Sequence, residues 1–393
     1  MKILKNIISP ANLLLLGILF LNACKPVSNL IATPVPWHGD MNLNAEILHH
    51  DASKKNVFII ADSKMTVLFD MIAPFYLFNA TEKTNVYIVA KDKTPILIKK
   101  DLFVKPQMTF AEADAMKLQA DVIVIPALSK RDEHQDTIVI NWIKNHFTIN
   151  TKMLAVCDGA STAAATGLYD GKPLTCHASD YANLKKHFNK PGWVRNTAVT
   201  KSGNLFSTAG VSNAVEGSLL VINELFGRET MQKLMANIKY PAAEIKMNHL
   251  SNIISGNSKF QVAKKICFKK NKNVGLLIED GINEFEMASI IDTYSRTLPA
   301  SLTVCNLNGS TTGTKYGLTL ISTGDTDFKK SNELHLMTPG LSAKQEAAYS
   351  KNTQLIRYHD LQRKYAIDIC LERIAKLYGH GFEKVVKQML DYN

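Results

Sequence analysis

From Asn56 onward, short runs of consecutive apolar residues alternate with longer stretches in which apolar positions recur at helical spacing. The runs are 57–60, 86–89, 122–125 and 154–156, and each stays apolar at successive positions. A strand with no polar face is buried on both sides, which predicts a parallel sheet covered by helices. Helical spacing marks 68–78, 110–118, 137–145 and 211–226, the last closed by Gly227. Together they predict an α/β domain with alternating strands and helices. The fourth run stops abruptly at Cys157-Asp158-Gly159 and turns into a small-residue helix over 163–167.

The pattern occurs a second time in shortened form. Asn56-Val57-Phe58-Ile59-Ile60 is echoed by Asn273-Val274-Gly275-Leu276-Leu277, and Phe69-Asp70-Met71 by Phe285-Glu286-Met287. Ile125-Pro126-Ala127-Leu128 is echoed by Thr338-Pro339-Gly340-Leu341. Late in each copy, Ala214, Glu216, Leu219, Ile222, Leu225 and Gly227 match Ala366, Asp368, Leu371, Ile374, Leu377 and Gly379. Between the last two landmarks the first copy has 85 residues (129–213) and the second 24 (342–365). The block missing from the second copy is the one that holds Cys157.

The first residues follow a different pattern. Lys2 and Lys5 precede an almost wholly apolar run, 7–21, and then Leu21-Asn22-Ala23-Cys24. The run is short and ends in small residues, so it reads as an export signal rather than a spanning helix. Its last four residues resemble the bacterial lipobox, which implies cleavage before Cys24, lipidation of that thiol and a place on the cell envelope facing the periplasm or exterior. Pro26, Pro34 and Pro36 follow with no sustained period and read as a tether, 24–54.

Without Lys2 and Lys5 the formal charge falls from +11 to +9. Such a surface faces anionic lipid headgroups or solvates the protein. No cluster of basic and aromatic residues calls for nucleic acid. The densest basic run, Lys264-Lys265 and Lys269-Lys270-Lys272, falls in the predicted linker 242–272 and reads as a solvated connector. Five cysteines remain after Cys24, at 157, 176, 267, 305 and 370. An odd count at irregular spacing is neither a disulfide scaffold nor a zinc site. Cys305 and Cys370 fall on an expected strand and helix as core residues. No metal-spaced cluster or phosphate-cradling loop appears, so neither metal nor cofactor is expected.

Cys157 admits two readings. On a strand-to-helix turn its thiol is exposed at the sheet edge and faces helix-terminal N–H groups, which favour the thiolate. The other reading is a small buried hydrophobe ahead of a turn.

The ordered landmarks around it resemble the ThiJ/PfpI family of the class I glutamine-amidotransferase-like superfamily, and most of all the amidotransferase-like domains of AraC-type regulators and isocyanide hydratases. Phe69-Asp70-Met71-Ile72-Ala73-Pro74, 121–126, Ala155-Val156-Cys157-Asp158-Gly159-Ala160, 167–172, Leu174-Thr175-Cys176-His177 and Ser207-Thr208-Ala209-Gly210-Val211 carry the resemblance. It implies a flavodoxin-like three-layer sandwich, present twice in tandem with the second copy truncated: residues 55–241 with the nucleophile elbow, and 273–393 without it. It also implies a catalytic set of Cys157, Asp70 beside the thiol, and His177 near the pocket. N–H groups around Asp158, Gly159 and Ala127 would hold developing negative charge. Two positions depart from the family pattern. Asp158 stands where proteases carry histidine and hydratases threonine; a carboxylate there opposes thiolate formation and argues against a protease. Ala127 stands where relatives carry glycine.

Three functions follow as expectations. One is a hydratase- or hydrolase-type enzyme in which Cys157 attacks a small electrophile; the second is a non-catalytic small-ligand-binding or redox-sensing module; the third is a structural envelope protein with a relic pocket. The two copies are expected to pair within the chain or as a homodimer, with the membrane as partner through Cys24.

Overall fold

The computed structural model describes residues 35–39, 49–128, 135–251, 253–307, 309–324, 331–337, 341–358 and 360–393. The export signal, Cys24, most of the tether and Thr338-Pro339-Gly340 lie outside the described residues. In chain order the strands are β1 (Lys55–Ile60), β2 (Thr84–Ala90), β3 (Ile96–Lys99), β4 (Leu102–Val104), β5 (Met108–Thr109), β6 (Val122–Ile125), β7 (Lys152–Ala155), β8 (Pro173–Leu174), β9 (Gly192–Trp193), β10 (Val199–Ser202) and β11 (Leu205–Thr208). They continue with β12 (Asn273–Leu277), β13 (Ser301–Cys305), β14 (Thr311–Gly313), β15 (Thr319–Ser322), β16 (Glu333–Leu336) and β17 (Gln354–Arg357). The helices are α1 (Leu68–Asn79), α2 (Phe110–Ala115), α3 (Thr137–His146), α4 (Gly159–Ala165), α5 (Tyr181–His187), α6 (Ala214–Phe226), α7 (Arg228–Asn237), α8 (Gly256–Phe268), α9 (Glu284–Ser295), α10 (Ala343–Tyr349), α11 (Ala366–Tyr378) and α12 (His380–Leu390).

Seven strands form the first sheet in the order β10-β11-β7-β6-β1-β2-β5. All neighbours are parallel except β10 against β11. Successive β1 residues feed opposite faces: Val57 and Ile59 join the core beneath α1 and α6, whereas Phe58 and Ile60 join the core beneath α2 and α3. This is the three-layer arrangement that continuous apolar strands demand.

The second sheet runs β13-β12-β16-β17, parallel throughout, the same strand order as β2-β1-β6-β7. Gly227 and Gly379, at φ 85° and 90°, each turn the chain between consecutive helices, α6 to α7 and α11 to α12. Positive φ is where glycine avoids the Cβ clash.

The two halves share one apolar core. Helix α1 lies against α9, with the rings of Phe69 and Phe285 5.5 Å apart; Tyr76 and Tyr365 add rings at 5.6 and 5.9 Å from Phe285. A third sheet, β14-β15-β4-β3, crosses between the halves through the antiparallel pair β15–β4, with Leu320 opposite Val104.

Three expectations need correction. The segment 242–272 is not a solvated connector: it contains α8, which lies on α12 through Ser258 Oγ–H donating to Gln388 Oε1 at 2.6 Å. Lys265 is 2% exposed, its Nζ donating to Leu298 O at 2.8 Å and Asn271 Oδ1 at 2.9 Å. Burial lowers its pKa to about 7. A lysine in a basic run was thus drawn inward by carbonyl acceptors that the local sequence does not reveal. The described part of the tether is also docked: Trp37 meets Phe103 edge-on at 5.2 Å, and the Asp51 N–H donates to Asn85 Oδ1 at 3.1 Å. Lastly, the helices expected at 211–226 and 110–118 are shorter, starting at Ala214 and ending at Ala115.

Candidate functional site

Strand β7 hands its last ladder bond to Val156, whose N–H donates to Ile125 O at 2.9 Å, and the chain then turns at Cys157. Cys157 has φ 56°. This left-handed conformation is costly for a residue with a Cβ and collects at functional turns. Gly159 makes the turn feasible, because a Cβ there would lie 2.0 Å from Ile125 O. The Cys157 N–H donates to Thr208 Oγ1 at the end of β11, 3.3 Å away.

The thiol is buried, at 4% exposure, and not open at the sheet edge as its turn suggested. It belongs to the apolar core that both halves build. Two of the expected N–H donors are committed elsewhere. Gly159 N–H donates to Val156 O at 2.8 Å, and Ala127 N–H donates to Asp70 Oδ2 at 3.2 Å. Alanine at 127 causes no backbone strain, since its φ is not positive.

Asp70 occupies the first turn of α1 and is fully buried. Only one of its oxygens is satisfied: Oδ2 accepts from Ala127, while Oδ1 has no hydrogen-bond partner among the described residues. Burial pushes the carboxyl well above its ordinary value; the Ala127 bond pulls the other way, and the fields of Asp292 and Asp158 add to the rise. The helix N-terminus favours an anion by roughly 0.3–1 kcal/mol. Removing a carboxylate from water costs several kcal/mol, more than one N–H bond and the helix terminus return, so burial wins and the protonated form persists well above the ordinary carboxylate range. Its proton makes Oδ1 a hydrogen-bond donor with nothing to donate to.

Asp292 on α9 shows the contrast. It is equally buried, which raises its pKa, yet Arg296 and Lys99 hold it below the ordinary range. Arg296 Nη1 lies 2.8 Å and Lys99 Nζ 3.2 Å from its Oδ1. Two carboxyl groups in one region are thus driven apart in protonation, the arrangement that assigns acid and base roles.

Asp158 is buried at the start of α4 and makes no side-chain cap bond there. Its charge raises the pKa of Asp70. His177 is buried too, and burial lowers its pKa. Its Nδ1 accepts from the Ser179 N–H at 3.2 Å and lies 2.8 Å from Ser179 Oγ. The proton therefore sits on Nε2, and the ring's remaining bond is to the Met389 backbone. Arg296 Nε donates to the same Met389 carbonyl at 3.0 Å.

Sequence reasoning missed the residues that close this region. The chain end lies over the loop after β11: Ser212 N–H donates to Leu390 O at 3.0 Å and Ser212 Oγ–H to Asp391 O at 2.9 Å. Asp391 Oδ1 pairs with His249 Nε2 at 2.9 Å, both side chains buried. Gly210 admits this approach, because a Cβ there would lie 2.0 Å from Asp391 Cβ. Ser212, His249 and Asp391 lie too far apart in sequence for spacing to reveal the set. A cavity of about 580 Å³ opens elsewhere, between Lys239, Tyr240, Pro241 and helices α11 and α12; no elbow residue lines it. Among the described residues no cluster of His, Cys, Asp or Glu could hold a metal ion, and all five described cysteines are free.

The Asp70 assignment has a sign that can be tested. Its folded pKa lies above the unfolded value of 3.8, so stability is full below that value and falls as pH rises toward the folded one. Asp70→Asn keeps the shape and removes the titration. The stability advantage of the parent over this variant should shrink with rising pH from about 4 upward, by at most about 1.4 kcal/mol per pH unit. Urea midpoints over a pH series check it; a pH-independent difference would mean an ionised Asp70.

Residues 54–224 match the family model described as the DJ-1/PfpI family. The isonitrile hydratase of Pseudomonas putida is 26% identical over 175 residues, spanning 44% of this chain and 74% of that protein. The Drosophila melanogaster protein dj-1beta is 25% identical over 137 residues, spanning 34% and 71%. Among solved structures, Drosophila DJ-1beta aligns at 21% identity with a TM-score of 0.41, covering 46% of this chain and 96% of its own. A DJ-1 superfamily protein from Salmonella typhimurium aligns at 18% identity and 0.42, covering 48% and 100%. The elbow at Cys157, the parallel sheet beneath it and the match to the DJ-1/PfpI family model meet in one segment, residues 54–224.

Proposed function

We propose that the domain is a cysteine-dependent hydratase-type enzyme acting on a small electrophile, with Cys157 as nucleophile and Asp70 as proton donor. The observation that carries this reading is the orphaned, buried oxygen of Asp70, a carboxyl whose pKa is raised by burial and by the field of Asp158, the residue that directly follows the elbow cysteine. Asp158 lies one residue from the thiol, and its field reaches Asp70. The similarity to an isonitrile hydratase suggests an isonitrile as the electrophile. The sulfur would bond to the terminal carbon as the Asp70 proton passes to that same carbon and the thiol proton replaces it on Asp70, giving a thioimidate and the restored acid. Water would then add across the C=N bond, its hydroxyl to carbon and its other hydrogen to nitrogen; the C–S bond breaks as the hydroxyl proton passes to sulfur, releasing the N-substituted formamide and the free thiol.

A second reading is a non-catalytic small-ligand-binding or redox-sensing module; the burial of Cys157 at 4% exposure favours its ligand-binding form, since a buried thiol is shielded from substrate and oxidant alike. Residues 273–393 would serve either reading as a reduced second copy that lacks the elbow and forms an intrachain pair with the first. Its strand order and the shared position of Gly227 and Gly379 favour that view. The signal before Cys24 supports a lipid-anchored protein of the bacterial envelope, for which Cys24→Ser should abolish palmitate labelling; unchanged labelling contradicts the anchor.

Formamide production from an alkyl isonitrile, followed by NMR, tests the enzyme. Cys157→Ser and Asp70→Asn should each lower turnover by at least about 100-fold. If the parent makes no formamide and Cys157 alkylates no faster than a peptide thiol, the catalytic reading falls and the binding module stands.

A further inference from the structure

Outside the elbow, the segment leading into and through α8 has a composition unlike the rest of the chain. Residues 245–278 contain seven lysines and not one aspartate or glutamate. Nine large hydrophobic residues are exposed among the described residues, and five of them fall here: Met247, Leu250, Ile253, Phe260 and Phe268. Concentration of exposed apolar side chains in one segment marks an interaction surface, unlike single scattered ones.

Helix geometry puts the apolar and basic groups together. Ser258, Lys265 and Ile266 are the buried positions of α8, on the side that meets α12. Phe260, Lys264 and Phe268 stand at i, i+4 and i+8, one stripe on the outward side, with Phe260 63% and Phe268 71% exposed. Lys259, Lys264, Lys269 and Lys270 are exposed around the two rings. A rigidly held helix that turns phenylalanines outward between lysines is built for a boundary between hydrocarbon and negative charge.

We propose that the outward side of α8, with Met247, Leu250 and Ile253 before it, is a membrane-surface contact that takes anionic phospholipid headgroups while its apolar side chains enter the acyl boundary. A second copy of the chain is the poorer occupant. It would bring lysines against lysines, with no acid anywhere in the segment to pair them. A nucleic acid would use the lysines but would leave Leu250 and Ile253 in water. The inference rests on α8 and does not depend on lipidation of Cys24.

Site-specific quenching tests it on the full chain. Single variants Phe260→Trp, Phe268→Trp and, as control, Ile149→Trp are compared; Ile149 is 88% exposed on the turn before β7. Vesicles carry brominated acyl chains and either phosphatidylcholine alone or phosphatidylcholine with phosphatidylglycerol. Added emission from the first two variants should move to the blue and be quenched on the anionic vesicles, and the control should show neither. Triple reversal, Lys264→Glu with Lys269→Glu and Lys270→Glu, should weaken vesicle binding by at least about tenfold, as should raising the salt well above physiological strength. Equal quenching at all three positions would mean attachment by another part of the chain and would overturn the proposal. So would a blue shift produced by raising protein concentration without vesicles, which assigns the surface to a second copy, or one produced by duplex DNA alone.

Discussion

Helix α1 has no solvent side. Ten apolar or aromatic residues of its twelve positions surround one carboxyl group, and every residue from Leu68 to Phe78 is buried. One flank of the helix lies on the first sheet; the other lies on α9 of the second half, where Phe285 meets both Phe69 and Tyr76. The site depends on this double burial. Were α1 covered by its own sheet alone, the field of water would reach Asp70 and let it ionise like an ordinary helix N-terminal acid. Enclosed on both sides, it keeps its proton.

The same enclosure explains why the second half matters although its shorter sheet contains no equivalent of the elbow. It supplies Asp292 and Arg296 to the region around Asp70, and its last residues lie over the loop that follows Thr208. The Cys157 backbone is therefore linked, through Thr208 and the Gly210–Ser212 turn, to a chain end more than 170 residues later. The contacts at Ser212 are two hydrogen bonds, each with a net contribution of about 1 kcal/mol.

Much of this was legible in the chain itself. Fully apolar runs at 57–60, 86–89 and 122–125 can only be strands with two covered faces, and they became the centre of the sheet. Cys157 was found because an apolar run that ends in a small-residue turn leaves little choice of conformation, and its φ of 56° fits that turn. What could not be read was burial supplied from a distance. The exposure of the thiol depends on a core shared with residues beyond 270. The commitment of Ala127 N–H depends on which acid faces it. Lys265 looked like one solvated lysine among several; its partner Leu298 lies 33 positions on, beyond any local pattern. The basic, acid-free character of 245–278 was visible as composition, but its outward apolar stripe required knowing which side of α8 meets α12.

An Asp70 carboxyl whose pKa is raised by enclosure is the claim on which the chemistry stands, and its ionisation can be observed directly. Carboxyl carbon chemical shifts of carbon-13-labelled aspartate, with the Asp70 signal assigned by its loss in Asp70→Asn, should be followed from acid to alkaline pH. The account predicts a midpoint well above 3.8. A midpoint at or below 3.8 would show a buried carboxylate at this place and would contradict the role given to Asp70.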